Sequence, residues 1–402
     1  MKKQSFVRLV ALIAVLGLAA SACAKKTQGA GGGGGTGGGT KTVEIAYMGA
    51  LSGDYKFLVQ PGYQAAQLAF DEANAGKFGK LPVKIQLVPE DTQGDPTQAT
   101  SLAQSVGSNS AFVGVIGPAF SGESAAAGKI LDQAGIPFVT PSATNPTLAQ
   151  NGWTHWFRAV GNDDSQGPVG AQYIAKVLKP NCVFIASDGQ TYGEGLATVV
   201  GQTLKTLGVK TFPQQTIDPN AKSWPALVSR IKASGCTAFY YGGYSAQSGP
   251  LRKQMTEAGL ANVAMVSGDG SEDSTFLQQA GTAGTGTVAT CPCADITSST
   301  DAAAKAFVAD YTAKWGTAPG IYSGEAWDIA QMYIAALKAG NTTRSAITTF
   351  LHGLNGFQGI TKSYTFQPNG ELVASSVTIY LYKDENGQWA YLGPSTQVIP
   401  SG

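Results

Sequence analysis

Hydroxyls and carboxyls beside glycine and proline are the residues of this sequence whose types and spacing could do chemistry. Phe120-Ser121-Gly122-Glu123-Ser124 puts a serine after a β-branched run, but the glycine pattern of a nucleophile elbow is missing, and His155 and His352 stand in no triad context. Both histidines read as surface or packing residues. No Walker A run joins a strand to a helix, and the carboxylate pairs Asp163-Asp164 and Glu272-Asp273 are expected in loops that water solvates. With two histidines and no second cysteine pair at ligand spacing, neither a metal nor a cofactor is expected, and the chain does not read as an enzyme. Binding has better support. Gly117-Pro118-Ala119-Phe120-Ser121 leads into a helix, where Ser121 serves as an N-cap, a ligand contact, or both, because a helix start seats an anion. Thr140-Pro141-Ser142-Ala143-Thr144-Asn145-Pro146 is a proline-stiffened loop offering O–H and N–H donors.

The elements that must position these loops alternate short β-branched runs with amphipathic stretches, the pattern of parallel sheets covered by helices. Strands are expected over 43–48, 83–88, 112–116 and 137–139, with helices over 60–74, 96–106 and 121–133. The rhythm restarts after Gly161-Asn162-Asp163, with helices over 166–178, 193–207, 224–233 and 247–258 and strands over 183–187, 210–217, 237–241 and 263–266. Two successive α/β units predict two lobes. Ligands of such folds sit beyond the carboxyl ends of the strands. Long helices over 301–315 and 323–339 then have to pack somewhere, and returning to the first lobe is the simplest solution. Strands near 363–366, 377–382 and 389–391 end the chain.

At 402 residues, two domains are the default, and a net charge of +1 with 13% charged residues argues against nucleic acid as a partner. Lys2, Lys3 and Arg8 precede an apolar run from Leu9 to Ala20 that is too short to span a bilayer and reads as a signal-peptide core. Ala20-Ser21-Ala22-Cys23 resembles a bacterial lipobox with Ala20 where leucine is usual, so residues 1–22 are expected to be removed and Cys23 lipidated. Residues 23–40, nearly all glycine from Gly29, are expected to form a flexible tether. The protein is then expected outside the cytoplasm, held to the cell membrane by lipid alone. Cys182 and Cys236 each open a predicted strand of neighbouring position and are expected to pair, while Cys291 and Cys293 flank Pro292 and leave a local bridge or two thiols open.

Asn162-Asp163-Asp164-Ser165-Gln166-Gly167-Pro168, Gln190-Thr191-Tyr192-Gly193-Glu194-Gly195-Leu196 and Phe239-Tyr240-Tyr241-Gly242-Gly243-Tyr244 resemble the leucine/isoleucine/valine-binding proteins of branched-chain amino acid ABC importers. So do Gly49-Ala50-Leu51-Ser52-Gly53 and Asp95-Pro96-Thr97-Gln98-Ala99, in order along the whole mature chain. The resemblance implies an α/β fold of two Rossmann-like lobes with parallel-rich central sheets joined by a three-segment hinge, the type I periplasmic binding protein fold. Residues 41–161 plus 291–376 would form the first lobe and 162–290 plus 377–402 the second, with crossovers near Asn162, Thr290 and Ser376.

The resemblance also implies a small amino acid ligand. Its carboxylate would be held by Ser121 and Thr144, and its ammonium by the Ser142 carbonyl and by Asp269, where the family carries glutamate. Tyr192, Tyr244 and Tyr322 would supply aromatic walls. Ala119 and Phe120, in place of a larger aliphatic residue and a cysteine, would meet the side chain, with Ala143 in the same loop. Another pocket aromatic is expected somewhere in Tyr55–Val59. The partner implied is an ABC importer permease, the protein itself a monomer. A sensory module serving a partner receptor, or a carrier of an amide, urea or aromatic acid, is the alternative.

Overall fold

The computed structural model describes residues 41–401, so the expected signal segment, Cys23 and most of the glycine-rich tether lie outside them. Five parallel strands build the first sheet: β1 (Thr42–Gly49), β2 (Lys84–Asp91), β3 (Phe112–Ile116), β4 (Phe138–Thr140) and β5 (Trp156–Arg158), in the order β2-β1-β3-β4-β5. Helices α1 (Lys56–Asn74), α2 (Pro96–Ser108) and α3 (Ser121–Gln133) connect them. Asp95 caps α2 by accepting from the Thr97 N–H at 2.7 Å, with Pro96 at the first helical position, where its missing N–H costs nothing. The first helix starts four residues before the expected position, with Pro61 inside it; burial of Leu58 and Val59 outweighs the backbone bond that proline forgoes.

The chain continues through α4 (Asp163–Tyr173), β6 (Val183–Ser187), α5 (Thr191–Thr206), β7 (Gln215–Thr216), α6 (Pro225–Ser234), β8 (Ala238–Gly242), α7 (Ser245–Glu257), β9 (Ala264–Ser267), α8 (Ser274–Ala280) and β10 (Val288–Cys291). The strand expected over 210–217 is cut to two residues, since Pro213 cannot donate to a ladder; only an isolated bridge at Thr211 precedes it. Helices α9 (Ala302–Trp315), α10 (Ser323–Lys338) and α11 (Arg344–His352) follow, then the hairpin β11 (Asn355–Gln358) and β12 (Ser363–Thr365), and the final pair β13 (Tyr380–Asp384) and β14 (Trp389–Pro394). The second sheet runs β14-β13-β10-β9-β8-β6-β7, with β13 antiparallel to both its neighbours and the other pairs parallel.

Helix α10 is apolar nearly all round, so it lies inside the protein, packed on α1 and against β3. Tyr333 on α10 donates to the Val115 carbonyl at 2.9 Å and accepts from the Val115 N–H at 3.2 Å, tying the late helical block to the first sheet. Gly114 makes room for that ring, because a Cβ there would collide with it. The chain thus passes between the sheets three times: after β5, after β10 and before β13. Strand β10 runs through Cys291, so the second passage begins at Pro292. Cys182 and Cys236, at the openings of β6 and β8, form a disulfide, and Cys291 is bridged to Cys293. No helix among the described residues is long and apolar enough to cross a membrane.

Candidate functional site

Two loops at the carboxyl ends of β3 and β4 form one wall of a cavity. Gly117 adopts φ +118°, and a Cβ there would strike the Met48 carbonyl, so only glycine lets the chain turn tightly over β1 into α3. Phe120 takes the N-cap position and Ser121 is the first residue of α3. The Ser121 hydroxyl accepts from the Asn145 N–H at 3.1 Å and keeps its own proton to donate. Thr140 Oγ1 donates to the Pro118 carbonyl at 2.8 Å, and Ser142 Oγ donates to the Ala119 carbonyl at 2.8 Å, which stitches the two loops together.

The second loop is held from behind by Arg158, a fully buried guanidinium on β5. Its Nη1 donates to the carbonyls of Ala143 and Asn145 at 2.8 and 2.9 Å, while its other face pairs with Glu371. A rigid fork of this kind fixes two carbonyls at once.

The opposite wall comes from the second sheet and from the start of α10. Tyr192 enters α5, Tyr244 caps α7, Asp269 follows β9, and Tyr322 caps α10 in a left-handed conformation, φ +59°. Asp269 is buried and accepts from Tyr322 Oη at 2.6 Å, Gln166 Nε2 at 2.7 Å and Tyr192 Oη at 2.8 Å. Tyr192 Oη in turn accepts from the Gly270 N–H at 3.0 Å. The Tyr244 ring lies 5.1 Å from Tyr192, 5.2 Å from Phe120 and 5.2 Å from Tyr55, an aromatic contact that bridges both walls.

Ser121, Ser142, Ala119 and Phe120 line this cavity from one side and Tyr192, Tyr244, Asp269 and Tyr322 from the other, and they close in until only about 20 Å³ stays open between them. Leu58, Val59 and Gly270 complete the lining. Ala143 and Thr144 are buried outside the lining, Ala143 under Arg158. Thr144 sits by Asp163, and neither its hydroxyl nor that carboxylate makes a hydrogen bond of ordinary geometry.

Among the described residues, no lysine, arginine or histidine lines the cavity. Burial pushes the Asp269 carboxyl above its usual range, and the three donors work against that shift by stabilising its charged form. Asp163 is raised further, by burial first and then by the nearby Asp269 charge. The arrangement therefore offers hydroxyl and N–H donors at one end, a buried carboxylate without a cation at the other, and apolar walls between.

A family model described as "Periplasmic binding protein" matches residues 42–387. The chain belongs to the periplasmic binding protein family. It is a solute-binding protein of the leucine/isoleucine/valine-binding kind, not an enzyme, and its family works outside the cytoplasm. A Leu/Ile/Val-binding protein of Rhizobium johnstonii is 32% identical over 79% of this chain and 85% of its own length. An amino acid binding protein of Pseudomonas aeruginosa is 37% identical, but over 49% of this chain, which spans about half of that relative, 53%. Among solved structures, the branched-chain amino acid transporter substrate-binding protein LivJ of Streptococcus pneumoniae, in complex with isoleucine, aligns at 26% identity. That alignment covers 88% of this chain and 100% of LivJ, with a TM-score of 0.79.

In this periplasmic binding protein, Arg158, Glu371 and Gln166 escaped the reading of the sequence as positioning residues. Arginine directly after Trp156-Phe157 signals only that a charge beside large apolar residues needs a partner, and not which one. Leu58 and Val59 fall in the segment where an aromatic was expected; Tyr55 supplies that ring, packed outside the lining against Phe120 and Tyr244.

Proposed function

We propose that this protein captures a branched-chain or related aliphatic L-amino acid by closing two lobes and delivers it to an ABC importer. The observation that carries the reading is Asp269: a buried carboxylate with three neutral donors and no cation, lining a cavity that an α-ammonium group would complete. Ser121, with the other donors of the α3 entrance, takes the carboxylate. The Ser142 carbonyl adds a second acceptor for the ammonium. Thr144 acts on the carboxylate only through a shift of its loop, since its hydroxyl is buried outside the lining. Leu58, Val59, Ala119 and Phe120 receive the side chain. Charge-assisted hydrogen bonds of about 1.5–3 kcal/mol each, with side-chain burial, suffice for micromolar affinity, about 8 kcal/mol.

The lobes proposed are 41–161 with 291–376 and 162–290 with 377–402, hinged at the three passages between sheets. Lipidation at Cys23 would hold the protein at the membrane, where a Cys23→Ser chain would be released to the soluble fraction. The relatives' printed names, and LivJ's bound isoleucine, support the ligand class.

Calorimetric titration of the ligand-stripped full chain with the common L-amino acids tests the reading. Micromolar binding of an aliphatic amino acid is expected; no binding tighter than about millimolar overturns it. Asp269→Ala should weaken that ligand about 100-fold or more, as removal of a buried charge partner does, and an unchanged affinity takes Asp269 out of the site.

A further inference from the structure

A second cavity, of about 170 Å³, lies outside the site just described. It is bounded by the second passage between the sheets, by Pro319–Ile321 leading to Tyr322, and by the edge pair β13 and β14. Glu272 lines it and is 9% exposed, yet no N–H or O–H donor reaches its carboxylate among the described residues. Its one close polar neighbour is Cys293 Sγ at 3.5 Å, and that sulfur is bonded to Cys291 and has no proton to give. Asp295 lines the same space, and no basic residue does.

Three aromatic rings share the wall with Ala294, Ile296, Thr297 and the Pro319–Ile321 segment. Tyr382 and Tyr391 pack at 5.6 Å between centroids, and Trp389 stands beside them, fixed through its ring N–H to the Asp273 carbonyl at 3.0 Å. A buried carboxylate without a donor calls for one from outside, and aromatic faces around it favour a cation that carries hydrocarbon over a strongly hydrated metal ion. Glu272, Cys291 and Cys293 do bring three ligand atoms within 4.8 Å of one another, but the bridge between the sulfurs removes both thiolates a metal would need.

We propose that this cavity is a second binding site, for a small organic ammonium ion, with Glu272 as its counter-ion and Tyr382, Trp389 and Tyr391 as its aromatic wall. Burial first, and then the like charges of Asp273, Asp269, Asp295 and Glu325, push the Glu272 carboxyl well above its usual range, and a cation bound beside it would offset both and favour the charged form.

Calorimetry on the full chain with putrescine and with tetramethylammonium as probes tests this. Because an amine could also enter the first cavity, the titrations are repeated in Asp269→Ala and in Glu272→Gln. Binding that survives Asp269→Ala and weakens about tenfold or more in Glu272→Gln is the expected result. Loss in Asp269→Ala with retention in Glu272→Gln assigns the amine to the first cavity and overturns the proposal. So does failure of both probes to bind at millimolar concentration, or heat from calcium or zinc but from neither amine. If Glu272→Gln does not fold, Tyr391→Ala, at a partly exposed position, must weaken the probes severalfold; unchanged affinity there also overturns the assignment.

Discussion

Glu123 lies fully buried behind the start of α3, where it accepts from the Phe120 N–H at 3.3 Å and from the Thr92 hydroxyl. Burial pushes its carboxyl up to about 8 despite those bonds, and burial likewise raises Asp188 to about 7 and Asp273 and Asp328 to about 6. Each of these groups keeps its proton in the folded chain at pH values where the unfolded chain has lost it. Their contribution to stability is therefore complete below about pH 4 and lost as pH rises through 6 to 8. The melting temperature of the ligand-free protein should be higher at pH 5 than at pH 8. Glu123→Gln should flatten the upper part of that slope, as scanning calorimetry would show; an unchanged slope means that Glu123 is ionised in the fold. The residues that line the first cavity were legible because family resemblance points to positions such as Ser121, Tyr192 and Asp269. Gln166 and Arg158 were not, since their partners, Asp269 and Glu371, lie 103 and 213 residues away and only the fold brings them together.

Among the elements, those with a clear period were readable to within a few residues: α3 spans Ser121–Gln133 and β6 spans Val183–Ser187, as their patterns require. Short or interrupted ones were not. Three residues of β5 and four of β10 carry too little alternation to signal a strand, and the β-branched run over 210–217 masked the break that Pro213 imposes before β7. The disulfide between Cys182 and Cys236 joins the starts of two adjacent strands across a sequence separation of 54. Closing a loop of that length restrains the unfolded chain by about 4 kcal/mol. The double variant Cys182→Ser/Cys236→Ser should lose stability on that order in urea unfolding. Its solute affinity at 25 °C should stay within a few-fold, because neither cysteine lines the cavity. A large loss of affinity with little loss of stability would contradict this division of roles.

Across the whole molecule, the loops of the two sheets meet through few polar contacts. Asn145 Nδ2 donates to the Thr191 carbonyl at 2.7 Å, and Gln247 Nε2 to Tyr55 Oη at 3.3 Å, while the Lys222–Asp54 pair is exposed and contributes little. Asn145→Ala removes that part-buried bond, about 0.5–1.5 kcal/mol, from the contact between the two sheets' loops, along with the bonds that Asn145 Oδ1 accepts from the Thr147 N–H and hydroxyl within its own loop. The expected outcome is a solute affinity weaker by about three- to tenfold and a larger radius of gyration by small-angle scattering without solute. An unaltered affinity would mean that this bond persists in the open form. The architecture was visible in the restart of the α/β rhythm at Gly161-Asn162-Asp163 and in the late helices that needed a home.

One arrangement also bears on how the chain is made. Strand β10 finds its outer neighbour only in β13, residues 380–384, close to the end of the chain. A polypeptide released before Tyr380 therefore carries a sheet whose edge offers bare N–H and C=O groups to any passing strand. A chain cut before β13 would then yield an aggregating product instead of a half-active one, because β10 is left as the bare edge of the sheet.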